Sequence, residues 1–305
     1  MIFDVIIVGA GLSGTYLSRK LYKMGLKTLI VEKSNGIGGR LATKPVGTDI
    51  VDYGCQYIRP MNTATKALVL EMENKNILNE ITIKGSKRTF ISPYGMNAIP
   101  KFLARGSNVI TNELVISIKE KNKAWEVFTE NFNLKSRIVI LTMPITQVQQ
   151  LLSNSNINDM STPDVNYLSF YTATYRSLDN NFSGTASSTS DLPWICSNTK
   201  KGLRNLNDIY TVNLSDEISK KILKLDNSER LQSVSELLNK FGFIDLRNLR
   251  LHYWKYAFSL NQDNVDYIYN KDRQLGIIGD SFSIGQANGA VKSAEMIFQK
   301  MNQEH

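Results

Sequence analysis

A short strand that runs directly into a glycine-rich turn is the feature that most restricts how this chain can fold. The apolar run Ile6-Ile7-Val8 leads into Gly9-Ala10-Gly11-Leu12-Ser13-Gly14, and apolar residues at helical spacing follow it. This G-x-G-x-x-G spacing between a strand and a helix is typical of a βαβ dinucleotide-binding unit. Gly9 permits the tight turn, Gly11 lets the backbone approach a pyrophosphate, and Gly14 lets the helix pack close to the strand. We therefore predict a parallel sheet whose first helix begins at a phosphate-binding turn.

An acidic residue ends the second apolar run at the distance that this unit requires. Residues 28–31 form the run and Glu32 follows it, about 20 residues after the glycines. A carboxylate at this position accepts hydrogen bonds from both hydroxyls of an adenosine ribose and repels a 2′-phosphate. The pattern predicts FAD or NAD rather than NADP, with Leu12, Ser13 and Lys33 joining the glycines and Glu32 in the cofactor-binding set.

A second glycine loop distinguishes between these two cofactors. The segment Gly36-Ile37-Gly38-Gly39-Arg40 comes shortly after the second strand. An NAD site does not need such a loop. A larger flavin dinucleotide can use it, because its pyrophosphate accepts hydrogen bonds from further N–H groups and from a guanidinium. We therefore predict FAD as the cofactor, with Gly39 and Arg40 among its ligands.

The composition is that of a globular protein of one large or two moderate domains. The chain has 305 residues, of which 42% are hydrophobic and 21% charged. It contains no apolar run of roughly 18 residues and no recognisable targeting segment, so we expect a cytoplasmic protein without membrane contact.

The cysteines, the histidines and the distribution of charge indicate whether the chain is expected to bind metal, form disulfides or bind nucleic acid. Cys55 and Cys196 lie far apart, and His252 and His305 are the only histidines. We therefore expect neither a disulfide framework nor a metal site. The net charge is +8, but the basic residues are scattered rather than clustered, so nucleic acid is not an expected partner.

Residues beyond the glycine loops resemble the renalases and their bacterial relatives, within the flavin amine oxidase superfamily. The N-terminal motifs are common to the superfamily, whereas the Gly-x-Gln-Tyr, Pro-Trp and Trp-Lys-Tyr-Ala segments are similar to renalase in particular. The segments that carry the resemblance include Gly39-Arg40-Leu41-Ala42-Thr43, Val51-Asp52-Tyr53-Gly54-Cys55-Gln56-Tyr57-Ile58, Pro193-Trp194, Trp254-Lys255-Tyr256-Ala257, Ile277-Ile278-Gly279-Asp280 and Gly289-Ala290-Val291-Lys292-Ser293-Ala294.

The resemblance implies an α/β fold with a Rossmann-type FAD-binding domain, like that of p-hydroxybenzoate hydroxylase, and an inserted antiparallel-sheet substrate domain. We expect residues 1–75, 93–152 and 272–305 to form the first domain, and residues 76–92 and 153–271 to form the second. Within them we predict one strand over 108–118, a helix over 231–241 and a strand over 249–258.

The resemblance also implies roles for individual residues. Gln56 and Tyr57 would lie beside the flavin N5, and Trp254 and Lys255 would complete the catalytic set. Val115 would hold the adenine edge through its backbone. The C-terminal part of the cofactor site is expected to consist of Asp280, which can accept a ribityl hydroxyl, and of the helix-start residues Gly289, Ala290 and Val291.

Two positions depart from the renalase pattern. Cys55 stands where relatives carry a small apolar residue; it could tether a flavin covalently, but buried unpaired cysteines usually only pack. Lys255 stands where relatives more often have arginine, which removes bidentate recognition of a phosphate or carboxamide. Trp194, Trp254, Tyr256 and Phe258 could form a slot for a planar nicotinamide or could be core residues.

Renalases oxidise the 2- and 6-dihydro isomers of NAD(P)H and pass the electrons to O2, which yields hydrogen peroxide. By resemblance we expect this reaction here, with a dinucleotide substrate and O2 as partners and a monomer or weak homodimer as the assembly. One alternative is an amine oxidase or desaturase on the same fold, although Gly285-Gln286-Ala287-Asn288 offers no substrate-framing aromatic before the last helix. A second alternative is an FAD-bound binding module without turnover.

Overall fold

The computed structural model describes residues 2–83, 88–180, 185–260 and 265–303, with the backbone alone for 177–180 and 244–245. Within these residues the helices are α1 (Leu12–Lys23), α2 (Thr63–Asn74), α3 (Ala98–Leu103), α4 (Ile145–Asn154), α5 (Asn198–Lys201), α6 (Asp216–Ile222), α7 (Asn227–Lys240) and α8 (Gln286–Asn302). The strands are β1 (Phe3–Val8), β2 (Thr28–Val31), β3 (Thr43–Val46), β4 (Asp49–Asp52), β5 (Asn79–Ile81), β6 (Thr89–Ile91), β7 (Asn108–Ile110), β8 (Val115–Lys121), β9 (Ala124–Thr129), β10 (Asn133–Leu141), β11 (Tyr167–Asn180), β12 (Ala186–Ser187), β13 (Trp194–Ser197), β14 (Ile209–Asn213), β15 (Phe243–Ser259), β16 (Ile268–Asn270) and β17 (Leu275–Ile277).

A sheet with a parallel centre carries the nucleotide-binding end of the molecule. Its order is β7-β2-β1-β10-β17-β16, in which β16 is antiparallel and the other five strands are parallel. The central strand is buried on both faces: Val5 and Ile7 pack in the cluster that includes α1 and α8, and Ile6 and Val8 pack in the cluster on the other face. This alternation is what a pleated strand imposes on a continuous apolar run.

The predicted single strand over 108–118 is wrong, because the chain changes sheet position within it. β7 pairs in parallel with β2, whereas β8 pairs antiparallel with β9. Asn112 lies between them in the left-handed region with φ 57°. The turn is fixed by N–H groups of Asn112 and Glu113, which donate to the carbonyls of Ser34 and Glu32 at 2.9 and 3.0 Å.

A second sheet of five antiparallel strands, in the order β12-β13-β14-β11-β15, forms the predicted insert. One face packs against α6 and α7 through residues such as Tyr171, Tyr175 and Leu238. β15 is the edge strand, and its residues alternate: Leu251 and Tyr253 pack toward α7, whereas His252 and Trp254 contact Tyr53.

The predicted fold class is confirmed, while several element boundaries differ. α7 begins at Asn227, before the predicted 231, because Asp226 and Glu229 form a capping box in front of the apolar pattern. β15 is longer than the predicted 249–258 because it pairs along most of β11. The predicted division at 271 falls between β16 and β17, which pair with each other in the large sheet. The division into two domains stays a prediction.

Candidate active site

The turn between β1 and α1 has the conformation that its glycines predict. Gly9 has φ +111°, and its N–H donates to the Val31 carbonyl at 2.8 Å. A Cβ on Gly14 would lie 2.2 Å from the Gly9 carbonyl oxygen, so only glycine lets α1 approach β1 this closely. A Cβ on Gly11 would meet nothing within 4 Å, which leaves its backbone open to a ligand. Leu12 and Ser13, both buried, form the first turn of α1.

Glu32 is buried at the end of β2 and is held by two backbone N–H groups. Its carboxylate accepts hydrogen bonds from Ala10 N and Ser34 N, each at 2.8 Å. Among the described residues each carboxylate oxygen accepts one such bond and keeps a lone pair for a further donor. Lys33 is exposed beside it, and Val115 is buried in the apolar cluster that also contains Val31.

The second glycine loop packs directly on the first. Gly38 N donates to the Ala10 carbonyl at 3.0 Å, and a Cβ on Gly39, which has φ +53°, would lie 3.0 Å from Gly11 Cα. The two glycine loops, which are separated in sequence, therefore form one surface. Both glycine loops predicted to contact the cofactor are brought together here.

Arg40 and Asp280, both predicted cofactor residues, form a bidentate pair. Arg40 Nη1 and Nη2 lie 2.6 and 2.5 Å from the two Asp280 carboxylate oxygens. Arg40 also donates to the Tyr256 carbonyl at 3.2 Å. The guanidinium thus joins the glycine loop, the C-terminal segment and β15 at one point.

The start of α8 completes this end of the site. α8 begins at Gln286, and Gly289 N donates to the Gly285 carbonyl at 2.6 Å. A Cβ on Gly289 would lie 2.6 Å from the Phe282 carbonyl oxygen, so glycine is required for the close approach. Ala290 and Val291 are buried in the core cluster shared with α1, so their side chains pack in the core.

The segment Gly54–Tyr57 lies against the backbone of Arg40. Cys55 N donates to the Arg40 carbonyl at 2.7 Å, and a Cβ on Gly54 would lie 2.2 Å from the same oxygen. The Cys55 thiol donates to the Tyr57 carbonyl at 3.0 Å. Burial raises the pKa of this thiol to about 11, which keeps it protonated at neutral pH.

Gln56 is buried, and its side-chain donors are occupied within the protein. Its Nε2 donates to the carbonyls of Asp52 and Gly54 at 2.8 and 3.0 Å, and its Oε1 accepts from Lys201 Nζ at 3.0 Å. Lys201 also pairs with Asp52 at 2.9 Å, and both side chains are 0% exposed. Lys201 was not among the predicted site residues, because a lysine near the end of a short polar segment resembles a surface residue.

An aromatic cluster continues from this segment. The Tyr53 ring stacks on Trp254 with centroids 5.5 Å apart, and His252 meets Trp254 edge-on at 4.3 Å. Trp254 Nε1 donates to the Tyr53 carbonyl at 3.0 Å, which fixes the indole. Lys255 is exposed, and strand alternation puts it on the opposite face of β15 from Trp254, so the structure does not bring it to this cluster.

A second aromatic contact lies on the other side of Gln56. The Tyr57 and Trp194 rings are 5.4 Å apart, and the Arg59 guanidinium lies 4.5 Å from the Tyr57 centroid. Trp194 Nε1 is buried without a hydrogen-bond partner among the described residues. Within the described residues this donor is therefore open to a further polar partner.

Comparison with known families agrees with this geometry. The model of an NAD(P)-binding Rossmann-like domain matches residues 7–71, and the model of the flavin-containing amine oxidoreductases matches residues 76–294, which is more than half of the chain. The chain belongs to the flavin-containing amine oxidoreductase family. Flavin-containing amine oxidoreductases bind FAD, and FAD is accordingly the cofactor of this protein.

Curated members of this family match the chain only in part. Putrescine oxidase of Kocuria rosea is 36% identical over 69 residues, which are 23% of this chain and 14% of the relative. Amine oxidase B of Rattus norvegicus is 31% identical over 98 residues, which are 30% of this chain and 19% of the relative. The aligned segments thus span less than a quarter of each relative's own length.

Solved structures of this family share the whole fold. A putrescine oxidase with bound putrescine superposes with a TM-score of 0.72 at 14% identity and 99% coverage of both chains. Cyclohexylamine oxidase from Brevibacterium oxydans gives a TM-score of 0.72 at 13% identity, again with 99% coverage of both. At such low identity this likeness defines the fold alone.

The residues present fit an FAD dinucleotide. Three features lie along the surface that the two glycine loops form. They are the open backbone at Gly11, the buried Glu32 carboxylate, whose oxygens each accept one hydrogen bond, and the Arg40 guanidinium. Among the described residues there is no helix long and apolar enough to cross a bilayer. The described part of the chain also contains no group of three or more His, Cys, Asp or Glu side chains arranged to hold a metal ion.

Proposed function

We propose that the protein is an FAD-dependent oxidase that acts on the 2- and 6-dihydro isomers of NAD(P)H. In this reaction the substrate loses a hydride and leaves as NAD(P)+, and the hydride with one proton reduces O2 to H2O2. FAD supplies the two-electron chemistry when bound. The observation that carries the proposal is the aromatic cluster of Tyr53, His252 and Trp254 directly beside the Gly54–Tyr57 segment.

The cluster suits a planar ring better than it suits a flexible chain. Trp254 is held by its hydrogen bond to the Tyr53 carbonyl, so its face is fixed rather than adjustable. Stacking on such a face orients a dihydronicotinamide without a charged contact. Hydride transfer depends on orientation and on exclusion of water, both of which a rigid aromatic wall provides.

We propose that Gln56 acts as a positioning residue. It was predicted to contact the reacting end of the substrate, but both of its amide N–H groups donate to backbone carbonyls. Through these bonds and through Lys201 it fixes the chain between Asp52 and Tyr57. Tyr57 and Trp194 then present their rings, and the unpartnered Trp194 Nε1 can donate to a ligand. Lys255 has no part in this proposal.

Oxidation of an amine is the second candidate, and family membership favours it. Putrescine oxidase and amine oxidase B, named above, are relatives with amine substrates in their names. Such a reaction needs a neutral amine near the flavin. The first turn of α8 offers Gln286, Ala287 and Asn288 rather than an aromatic residue, and the Asn288 side chain bonds to the backbone of Met61 and Arg59.

Anaerobic stopped-flow reduction separates these reactions. The protein with its FAD is mixed with each dihydro isomer, with ordinary β-NADH and with a panel of amines, and loss of flavin absorbance is followed. We expect rapid bleaching by the 2- or 6-dihydro isomers and slow bleaching by β-NADH. Fast bleaching by an amine alone would establish the amine oxidase. Bleaching by none of them would leave the flavin-bound binding module.

A further inference from the structure

A cavity of about 360 Å³ lies at the free edge of β15. Three parts of the chain line it. The β3 hairpin and the residue after β4 contribute Lys44 and Tyr53, α7 contributes Asn227 and Leu231, and β15 contributes Arg250 and His252. None of these residues belongs to the glycine loops or to the other predicted cofactor contacts.

Two basic side chains, Lys44 and Arg250, line the cavity. Lys44 is half-buried, and its Nζ lies 4.7 Å from the centroid of the Tyr53 ring. Burial and the neighbouring Arg250 lower the pKa of Lys44 to about 8. No carboxylate of the described residues pairs with Lys44 or Arg250. On α7 the nearby acids Asp226 and Glu229 are engaged in the capping box.

Such an arrangement is costly unless it serves a ligand. A half-buried ammonium next to a guanidinium loses hydration and is repelled by its neighbour, and a bound anion relieves both effects while the lysine keeps its proton. Lysine and arginine together are groups that proteins use to bind phosphates. A protonated amine would be repelled from the same place.

The cavity is continuous with the aromatic cluster. Tyr53 lines the cavity, and its ring is 5.0 Å from His252 and 5.5 Å from Trp254. Tyr53 also directly precedes Gly54, where the predicted flavin edge begins. A ligand with a flat ring against Trp254 and an anionic extension would therefore reach Lys44 and Arg250.

We propose that Lys44 and Arg250 form a phosphate-binding subsite for the substrate, which makes the substrate a phosphorylated nicotinamide nucleotide rather than an amine. This inference rests on the proposed function and adds to it the recognition of the substrate's phosphates. His252 joins the aromatic cluster to this subsite.

Truncated substrates test the proposal. The 2- or 6-dihydronicotinamide is offered as the riboside, which lacks phosphate, and as the dinucleotide, and flavin reduction is measured against substrate concentration. In Lys44→Gln and Arg250→Gln we expect the half-saturating concentration of the dinucleotide to rise about tenfold, because an ionic hydrogen bond to phosphate is lost. The riboside should be unaffected. Lys44→Arg should retain binding, and Lys121→Gln, at an exposed lysine on β8, is the matched control.

Direct binding separates failure of this subsite from failure of the proposed function. Calorimetric titration with inorganic pyrophosphate should show binding that both variants weaken, at unchanged flavin content and thermal midpoint. If the isomers bleach the flavin but neither substitution raises the half-saturating concentration of the dinucleotide relative to that of the riboside, the subsite is refuted and the function stands. If pyrophosphate binds but no isomer bleaches the flavin, the proposed function is refuted, and the substrate role of the subsite with it.

Discussion

Lys201 and Asp52 form an ion pair that is completely enclosed by the protein, with Nζ 2.9 Å from Oδ2. The pair connects α5, beside the antiparallel sheet, to β4 of the glycine-loop region. The other Asp52 oxygen accepts hydrogen bonds from Met96 N at 2.8 Å and from the Thr43 hydroxyl at 2.5 Å. Every polar atom of the pair is therefore satisfied, which is the condition under which buried charges are tolerated.

Replacement of Lys201 by methionine should strongly destabilise the protein. The Asp52 carboxylate would then stay buried without its counter-charge, and loss of one partner of such a pair costs about 3–5 kcal/mol. Urea unfolding measures the effect, and Lys224→Met, at an exposed lysine, is the control. The double variant Lys201→Met/Asp52→Asn should lose less than the sum of the single losses. Additive losses would mean that the two side chains act independently.

Gln56→Ala should slow flavin reduction while FAD stays bound. The loss of the bonds to Asp52 O, Gly54 O and Lys201 loosens the segment beside the predicted flavin edge. One lost positioning hydrogen bond costs about 1–3 kcal/mol, so the rate per bound flavin should fall about tenfold or more. Gln56→Glu keeps the acceptor for Lys201 but removes the donors, and should also be slow. An unchanged rate per bound flavin would show that Gln56 has a structural role and does not position the segment for flavin reduction.

Glu32→Lys should reduce retention of FAD. Glu32 accepts hydrogen bonds from the N–H groups of Ala10 and Ser34. Lysine at this position removes the acceptors and adds an ammonium that cannot accept a hydrogen bond from a ribose hydroxyl. We expect the ratio of flavin to protein after gel filtration to fall about tenfold, which corresponds to about 1.4 kcal/mol. Glu32→Gln, which keeps one acceptor, should retain more flavin. Equal flavin content in all three proteins would exclude Glu32 from the cofactor site.

The flavin should be released by acid precipitation. Cys55 donates its thiol proton to the Tyr57 carbonyl, and burial raises the pKa of this thiol to about 11, so the reactive thiolate is scarce at neutral pH. We expect the yellow colour in the supernatant, both for the native protein and for Cys55→Ser. Flavin that stays in the pellet of the native protein and not of the variant would establish a covalent link.

Asp49 should make stability sensitive to acid. Burial acts to raise the pKa of Asp49, but hydrogen bonds from Asn207 and Leu206 N and the charge of Arg176 outweigh burial and hold it below its ordinary value of 3.8. A group with a lowered pKa stabilises the fold at neutral pH, and this contribution disappears as the pH falls through the folded-state pKa. Asp49→Asn should therefore lose about 1–3 kcal/mol at neutral pH.

Urea midpoints measured between about pH 6 and pH 2 check this expectation. The native protein and Asp49→Asn should converge at the acidic end, because protonation of Asp49 removes the same interaction. Glu217→Gln is the control, since its carboxylate is exposed and pairs with Lys221 on the same helix. A constant difference between the curves at every pH would contradict the assignment.

Sequence spacing could predict the parts of the site that lie close together in the chain. The glycine turn, Glu32 and the second glycine loop follow one another within forty residues, and their conformations depend on local backbone requirements such as the positive φ of Gly9 and Gly39. The fold class followed from the same pattern together with the resemblance of the later segments.

Contacts between distant segments could not be predicted in this way. Lys201 and Asp52 are far apart in the chain, and nothing in the segment Thr199-Lys200-Lys201-Gly202 distinguishes the buried lysine from its exposed neighbour. The partners of Gln56 depend on this same contact. The chain breaks between β7 and β8 because these two segments pair with different strands. The strand propensity of the residues carries no information about which strand each segment pairs with.

The strand order also determines which neighbouring strands are available for pairing at each stage of synthesis. β1 lies between β2 and β10, and β10 pairs with β17, which is made near the end of the chain together with α8, the helix that packs on α1. The ribosome therefore releases β10, and then residues 142–274, before β17, the strand that pairs with β10, emerges. β9 covers one part of this edge of β10, but the part at Val139–Leu141 has no strand neighbour throughout that interval and is open to chaperones or to wrong partners. The last strand to emerge closes that edge.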